Sequence, residues 1–101
     1  MDVVIQSLGF KASPDLENYI HDKLGKLDNM SDTIVRANVT LFGGPDSKPE
    51  HNHCEIRLEV PGNDHFVKKS AESFEQAVVS AVNTLQGMIR KVKEKQSDKR
   101  P

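Results

Sequence analysis

Ser73-Phe74-Glu75-Gln76-Ala77-Val78-Val79-Ser80-Ala81-Val82-Asn83-Thr84-Leu85-Gln86-Gly87-Met88-Ile89-Arg90-Lys91-Val92-Lys93-Glu94-Lys95 is the stretch that decides how this chain folds. Phe74, Ala77, Val78, Ala81, Val82, Leu85, Met88, Ile89 and Val92 recur at three- and four-residue spacing, which predicts one long amphipathic helix. Ser73 with Gln76 three positions on is a capping-box signature at its head. The same helix runs into Arg90, Lys91, Lys93 and Lys95, with Lys99 and Arg100 beyond, so one element both seals a core and carries concentrated positive charge.

A helix with one apolar stripe needs an apolar surface to cover, and the preceding residues supply it as strands. Val3 to Gln6, with Leu8 close behind, predicts a short apolar strand, and Ser13-Pro14 places an N-cap and a first-turn proline at the start of another helix. Leu16, Ile20, Leu24 and Leu27 form its stripe, and Asp28-Asn29 with Ser31-Asp32 end it in a polar turn. Ile34 to Phe42 alternates, with Val35, Ala37, Val39 and Leu41 expected inward and Arg36, Asn38 and Thr40 outward. Gly43 to Pro49 reads as an exposed loop. Alternation then resumes with Cys54, Ile56, Leu58 and Val60 inward against Glu55, Arg57 and Glu59. Pro61 to Asp64 is a tight hairpin connection, followed by a strand over about His65 to Lys69. The expected fold is α+β in the order β-α-β-β-β-α, a four-stranded sheet with both helices on one face and the other face wet.

The chain has 101 residues and 36% hydrophobic content, which fits one domain, taken as residues 1–96, followed by a short basic tail at 97–101. No stretch has the length of a membrane span or an export leader, which points to the cytoplasm, and the single Cys54 forms no internal disulfide. The formal net charge is only -1, yet residues 84–101 sum to +4 and residues 46–64 to -3. A basic helix end also stabilises its own carbonyls, but this degree of polarisation suits a polyanionic partner. The outward sheet positions hold charged or small polar groups, and most of Phe10, Tyr19, Phe42, Phe66 and Phe74 sit where core packing explains them, so the helices are the expected nucleic-acid surface.

Other chemistries fare less well. On an extended segment His51 and His53 point one way and Cys54 the other, which argues against a zinc site. Gly43-Gly44-Pro45 lacks the spacing and the lysine of a phosphate loop, and Cys54 lacks an electropositive setting, so no enzyme, cofactor or small-molecule substrate is expected. Lys68-Lys69-Ser70-Ala71 ahead of the last helix is the runner-up, since double-stranded-RNA-binding domains grip phosphates from such a segment, although Glu72 interrupts it. A protein-interaction module using an exposed strand edge is the third reading.

The element order, the segment Asp22-Lys23-Leu24-Gly25-Lys26-Leu27, and a helix opening Ser73-Phe74-Glu75-Gln76-Ala77-Val78 and closing Arg90-Lys91-Val92-Lys93-Glu94-Lys95 together resemble the ribosome hibernation-promoting factors. That family is also called ribosome-associated inhibitor, ribosomal subunit interface protein and sigma-54 modulation protein. The resemblance spans Val3 to about Gln96 and is to the short form, without the additional C-terminal domain that pairs ribosomes. It implies a monomeric, non-enzymatic stress factor that occupies the messenger and transfer RNA cleft of the small ribosomal subunit and contacts ribosomal RNA phosphates. The residues it implies are Lys23 and Lys26 on the first helix and Lys91, Lys93 and Lys95 on the second, with Arg90 added on charge alone. Family members typically carry lysine where this chain has Thr84 and arginine where it has Gly87, on the flank that holds Lys91. Gly87 weakens a helix interior by about 1 kcal/mol, which suggests a bend or a close approach there.

Overall fold

The computed structural model describes residues 1–43 and 51–98, with the backbone alone for 94–98. Its elements are β1 (Asp2–Leu8), α1 (Pro14–Met30), β2 (Arg36–Gly43), β3 (Asn52–Glu59), β4 (His65–Ala71) and α2 (Phe74–Asp98), which is the expected β-α-β-β-β-α order of an α+β fold. Beyond Gly43, the loop expected to end at Pro49 lies outside the described residues, as do Lys99, Arg100 and the side chain of Lys95.

Both helices begin as their sequences dictate. The Ser13 hydroxyl accepts from Leu16 N at 3.1 Å, and the Ser73 hydroxyl accepts from Gln76 N at 3.1 Å, each satisfying an amide that the first turn leaves free. Ser31 closes α1, donating its amide to Leu27 O at 3.2 Å. In the sheet, β1 runs parallel to β2, while β2, β3 and β4 form an antiparallel meander in the spatial order β1-β2-β3-β4. A parallel pair needs a crossover connection, and α1 is that crossover.

Ile20, Leu24 and Leu27 of α1 and Ala77, Val78, Ala81, Val82, Leu85 and Ile89 of α2 are buried with Ala37, Val39, Leu41, Cys54, Ile56, Leu58 and Val67 of the strands. Ring stacking of Phe10 on Phe74, with centroids 4.8 Å apart, ties the starts of the two helices together. At their far ends the Lys93 ammonium of α2 donates to Met30 O of α1. The helices therefore lie side by side and run in the same direction.

Three expectations about side-chain direction need correction. Val35 is 55% exposed and Ile34 is buried, because the two residues precede β2 and the alternation starts only with the ladder at Arg36. Val92 is 42% exposed although it continues the stripe of α2, because the helix outruns the sheet there. It borders a groove of about 530 Å³ between the end of α1 and the β3–β4 turn, shared with Ile34, Val60, Pro61 and Ile89. Phe42 and Phe66 belong to the open sheet face rather than the core: Phe66 is 55% exposed, and Phe42 stacks on His53 across the β2–β3 pair at 4.8 Å.

Candidate nucleic-acid interface

The open sheet face balances its own charges. Arg36 pairs with Glu59 at 3.2 Å, Asn38 donates to the same carboxylate oxygen at 2.6 Å, and Arg57 lies 3.5 Å from Asp64. The Asn38 hydrogen bond, helped by Arg36 and opposed by partial desolvation, holds the Glu59 carboxyl below its ordinary value. This pairing is present above the usual carboxylate pKa and is lost as pH falls through the depressed one. Lys68 leans over the Phe42 ring at 5.3 Å, while Lys69 projects from the other face of β4 and is half-buried. The two lysines of the runner-up reading thus point apart and share no phosphate grip.

The helix layer keeps its cations unpaired by carboxylates among the described residues, since every ion pair found there involves the sheet, the β3–β4 turn or the Met1 amine with Asp28. Lys23 is half-buried with its ammonium 5.1 Å from the Tyr19 ring centroid, so its stem covers apolar surface while its head stays at the edge. Lys26, Arg90 and Lys91 are exposed. Lys93 is exposed too, but its ammonium serves Met30 O, and the last turn of α1 holds no basic residue of its own.

That contact fixes how the second-helix cations are divided. At about 100° per residue, Lys91 lies about 200° round α2 from Lys93, so with Lys93 turned toward α1, Lys91 faces away from it together with Thr84 and Gly87. Arg90 is only about 60° from Lys93 and stays on the α1 side. The structure therefore gathers Lys93, Arg90 and the end of α1 on one side of α2 and sets Lys91 on the other. A Cβ added at Gly87 meets nothing within 4 Å and its backbone has no positive φ, so neither a close approach nor a special conformation explains this glycine.

The role of Lys93 at the end of α1 was not legible in the sequence; the one signal for it was that α1 ends without a cation of its own. Replacing Lys93 with Met keeps the stem and removes the donor. It is expected to destabilise the fold by about 1 kcal/mol, read as a lower urea midpoint at constant slope. An unchanged midpoint would show that the ammonium does not support α1.

Metal and thiol chemistry find no converging geometry. The His51 and His53 rings stack with centroids 6.1 Å apart, His53 Nδ1 sits 2.6 Å from Ser70 Oγ, and Cys54 is buried on the opposite face. Burial, with a smaller contribution from the Glu55 charge, pushes the Cys54 thiol up to about 12. Among the described residues no three His, Cys, Asp or Glu side chains come together as a metal site, and no helix is long and apolar enough to cross a membrane.

Comparison with known proteins agrees with this architecture. The family model described as Sigma 54 modulation protein / S30EA ribosomal protein matches residues 3–97. A ribosome hibernation promotion factor of Deinococcus radiodurans is 29% identical over 79 residues, covering 77% of this chain and 41% of that protein. The chain thus spans about two fifths of the length of this relative. Among solved structures, a ribosomal subunit interface protein from Coxiella burnetii superposes with a TM-score of 0.81 at 17% identity, covering 93% of this chain and 99% of that one. The N-terminal domain of Protein Y from Thermus thermophilus gives 0.77 at 20% identity, covering 91% and 99%. At these identities the two structures show a shared fold.

Proposed function

The chain belongs to the sigma 54 modulation protein / S30EA ribosomal protein family, and from that premise we propose that it binds the small ribosomal subunit through its helix layer and holds idle ribosomes out of translation. The observation that carries the reading is the contrast between the two faces. The sheet face neutralises its charges internally, whereas Lys26, Arg90 and Lys91 stand exposed on two parallel helices. Structured RNA is recognised largely by shape and phosphate contacts, which such a rigid layer of spaced cations suits. Lys23 contributes from the edge of that layer and Lys93 from beside the end of α1, and Lys95 is the next cation in the sequence of α2.

In this reading the protein acts as a monomer in the cytoplasm, with the messenger and transfer RNA cleft as its seat and ribosomal RNA as its partner. It has no catalytic step: occupancy of the cleft is the whole effect. Phosphate contacts release counterions, so binding weakens as salt rises. In a sucrose gradient of lysate from starved cells at low salt, the protein is expected in the small-subunit or whole-ribosome fractions and is expected to move to the top of the gradient as salt is raised. Recovery only at the top under low salt would overturn the ribosome reading.

A further inference from the structure

The two edges of the sheet are built differently. β4 carries Lys68 and Lys69, the kind of charge that keeps an edge from pairing. β1 runs Asp2-Val3-Val4-Ile5-Gln6-Ser7-Leu8 in unbroken register with β2, with no bulge, proline or basic residue. Its Val4 and Leu8 are 49% and 50% exposed on the open face. Among the described residues nothing pairs with its outer side.

The backbone says which groups are free. Asp2 donates its amide to Val35 O at 3.1 Å, so in the parallel ladder Asp2, Val4, Gln6 and Leu8 direct their amides and carbonyls to β2. Val3, Ile5 and Ser7 must then direct theirs outward. Three residues spaced by two, centred on Ile5, form a self-complementary set. An antiparallel copy related by a two-fold axis at Ile5 places Ile5 against its own counterpart and Val3 against Ser7, and every outward amide and carbonyl finds a partner. In this register Asp2 faces Leu8 and Val4 faces Gln6, so no like charges oppose each other.

We propose that β1 is a docking edge for a second copy of this chain, joining two four-stranded sheets into one of eight strands with all four helices on the same face. One strand pair buries far less than a standard interface, so the dissociation constant is expected on the order of 0.1–1 mM. The chain is then monomeric at the concentrations used for ribosome binding and pairs where it accumulates unbound. Pairing through backbone hydrogen bonds and apolar contacts does not weaken as salt rises, which separates it from phosphate binding.

Amide exchange at two protein concentrations tests the register. In dilute protein the Val3, Ile5 and Ser7 amides exchange freely, and those of Val4, Gln6 and Leu8 are protected by β2. At about 1 mM protein, which pairs roughly half to four fifths of the chain over that range of dissociation constants, the first three slow about two- to fivefold and sedimentation reports monomer and dimer in exchange. Ser7→Pro removes an outward donor and leaves the bonds to β2 in place, so it should abolish pairing, whereas Ser7→Ala should keep it. Val4→Lys changes only an exposed side chain; it places like charges near the two-fold axis and should raise the dissociation constant about tenfold while the thermal midpoint stays put. A monomer at millimolar concentration with Val3, Ile5 and Ser7 still exchanging freely would overturn the proposal. So would protection of these amides that needs a different protein rather than more of this one.

Discussion

Reversing Lys26, Arg90 and Lys91 to glutamate together should lower affinity for isolated small subunits at least a hundredfold at low salt. Three charge-assisted phosphate contacts, each worth about 1 kcal/mol or more, sum to roughly two powers of ten. The same variant should flatten the logarithmic salt dependence by about three, one for each lost contact. All three side chains are exposed and none serves another group of the fold, so the thermal midpoint should hold. The complementary gain is Thr84→Lys with Gly87→Arg. It adds two cations to the flank of Lys91, meets no steric obstacle at residue 87, and removes a helix-weakening glycine, so affinity and helix stability should both rise. Titration of isolated small subunits at several salt concentrations reads both variants. If the triple reversal leaves affinity and salt slope intact, the helix layer is not the RNA-facing surface.

Leu85→Ala should cost about 3 kcal/mol and lower the thermal midpoint by roughly 10–25 °C. Leu85 is fully buried in the cluster that joins both helices to the strands, and its loss leaves a cavity that neither the sheet nor α1 can collapse into without moving backbone. Val92→Ala, on the same stripe of α2, should cost less than about 1 kcal/mol because Val92 borders an open groove. Calorimetry of the two variants side by side tests where the core ends, and equal losses would contradict the burial pattern.

Val92 also marks how far the sequence could be read. Spacing announces which side of a helix is apolar, but not how far the sheet beneath it extends, so the end of α2 was legible as amphipathic while its loss of cover was not. The order of elements followed from local signals that the structure uses directly: the Ser13 and Ser73 caps, and the alternation from Ala37 to Leu41 and from Cys54 to Leu58. Val35 fell the other way because alternation holds only within a ladder, and the ladder begins one residue later. Phe42 and Phe66 read as core residues by type, yet their parity with Arg36 and Arg57 places them on the open face. Among the candidate residues, exposure of Lys26, Arg90 and Lys91 follows from helical phase alone. The attachment of Lys93 to Met30 joins residues far apart in the chain and could not be seen before the helices were placed.

The parallel course of the two helices has an electrostatic consequence for the candidate surface. Each helix behaves as a dipole with about half a positive charge at its start and half a negative charge at its end, and here the two dipoles add instead of cancelling. At the starts, Asp15, Glu17 and Glu75 answer the positive ends. At the other pole, the negative end of α1 draws on the charge of Lys93, whose ammonium donates to Met30 O, while the end of α2 at Asp98 lies about two turns beyond Arg90 and Lys91. The field that an approaching phosphate meets there is correspondingly weaker than a count of cations suggests. Lys26, Arg90 and Lys91 stand at least a full turn before the ends of their own helices, where little of their charge is spent on the fold, so more of their field is available to the partner.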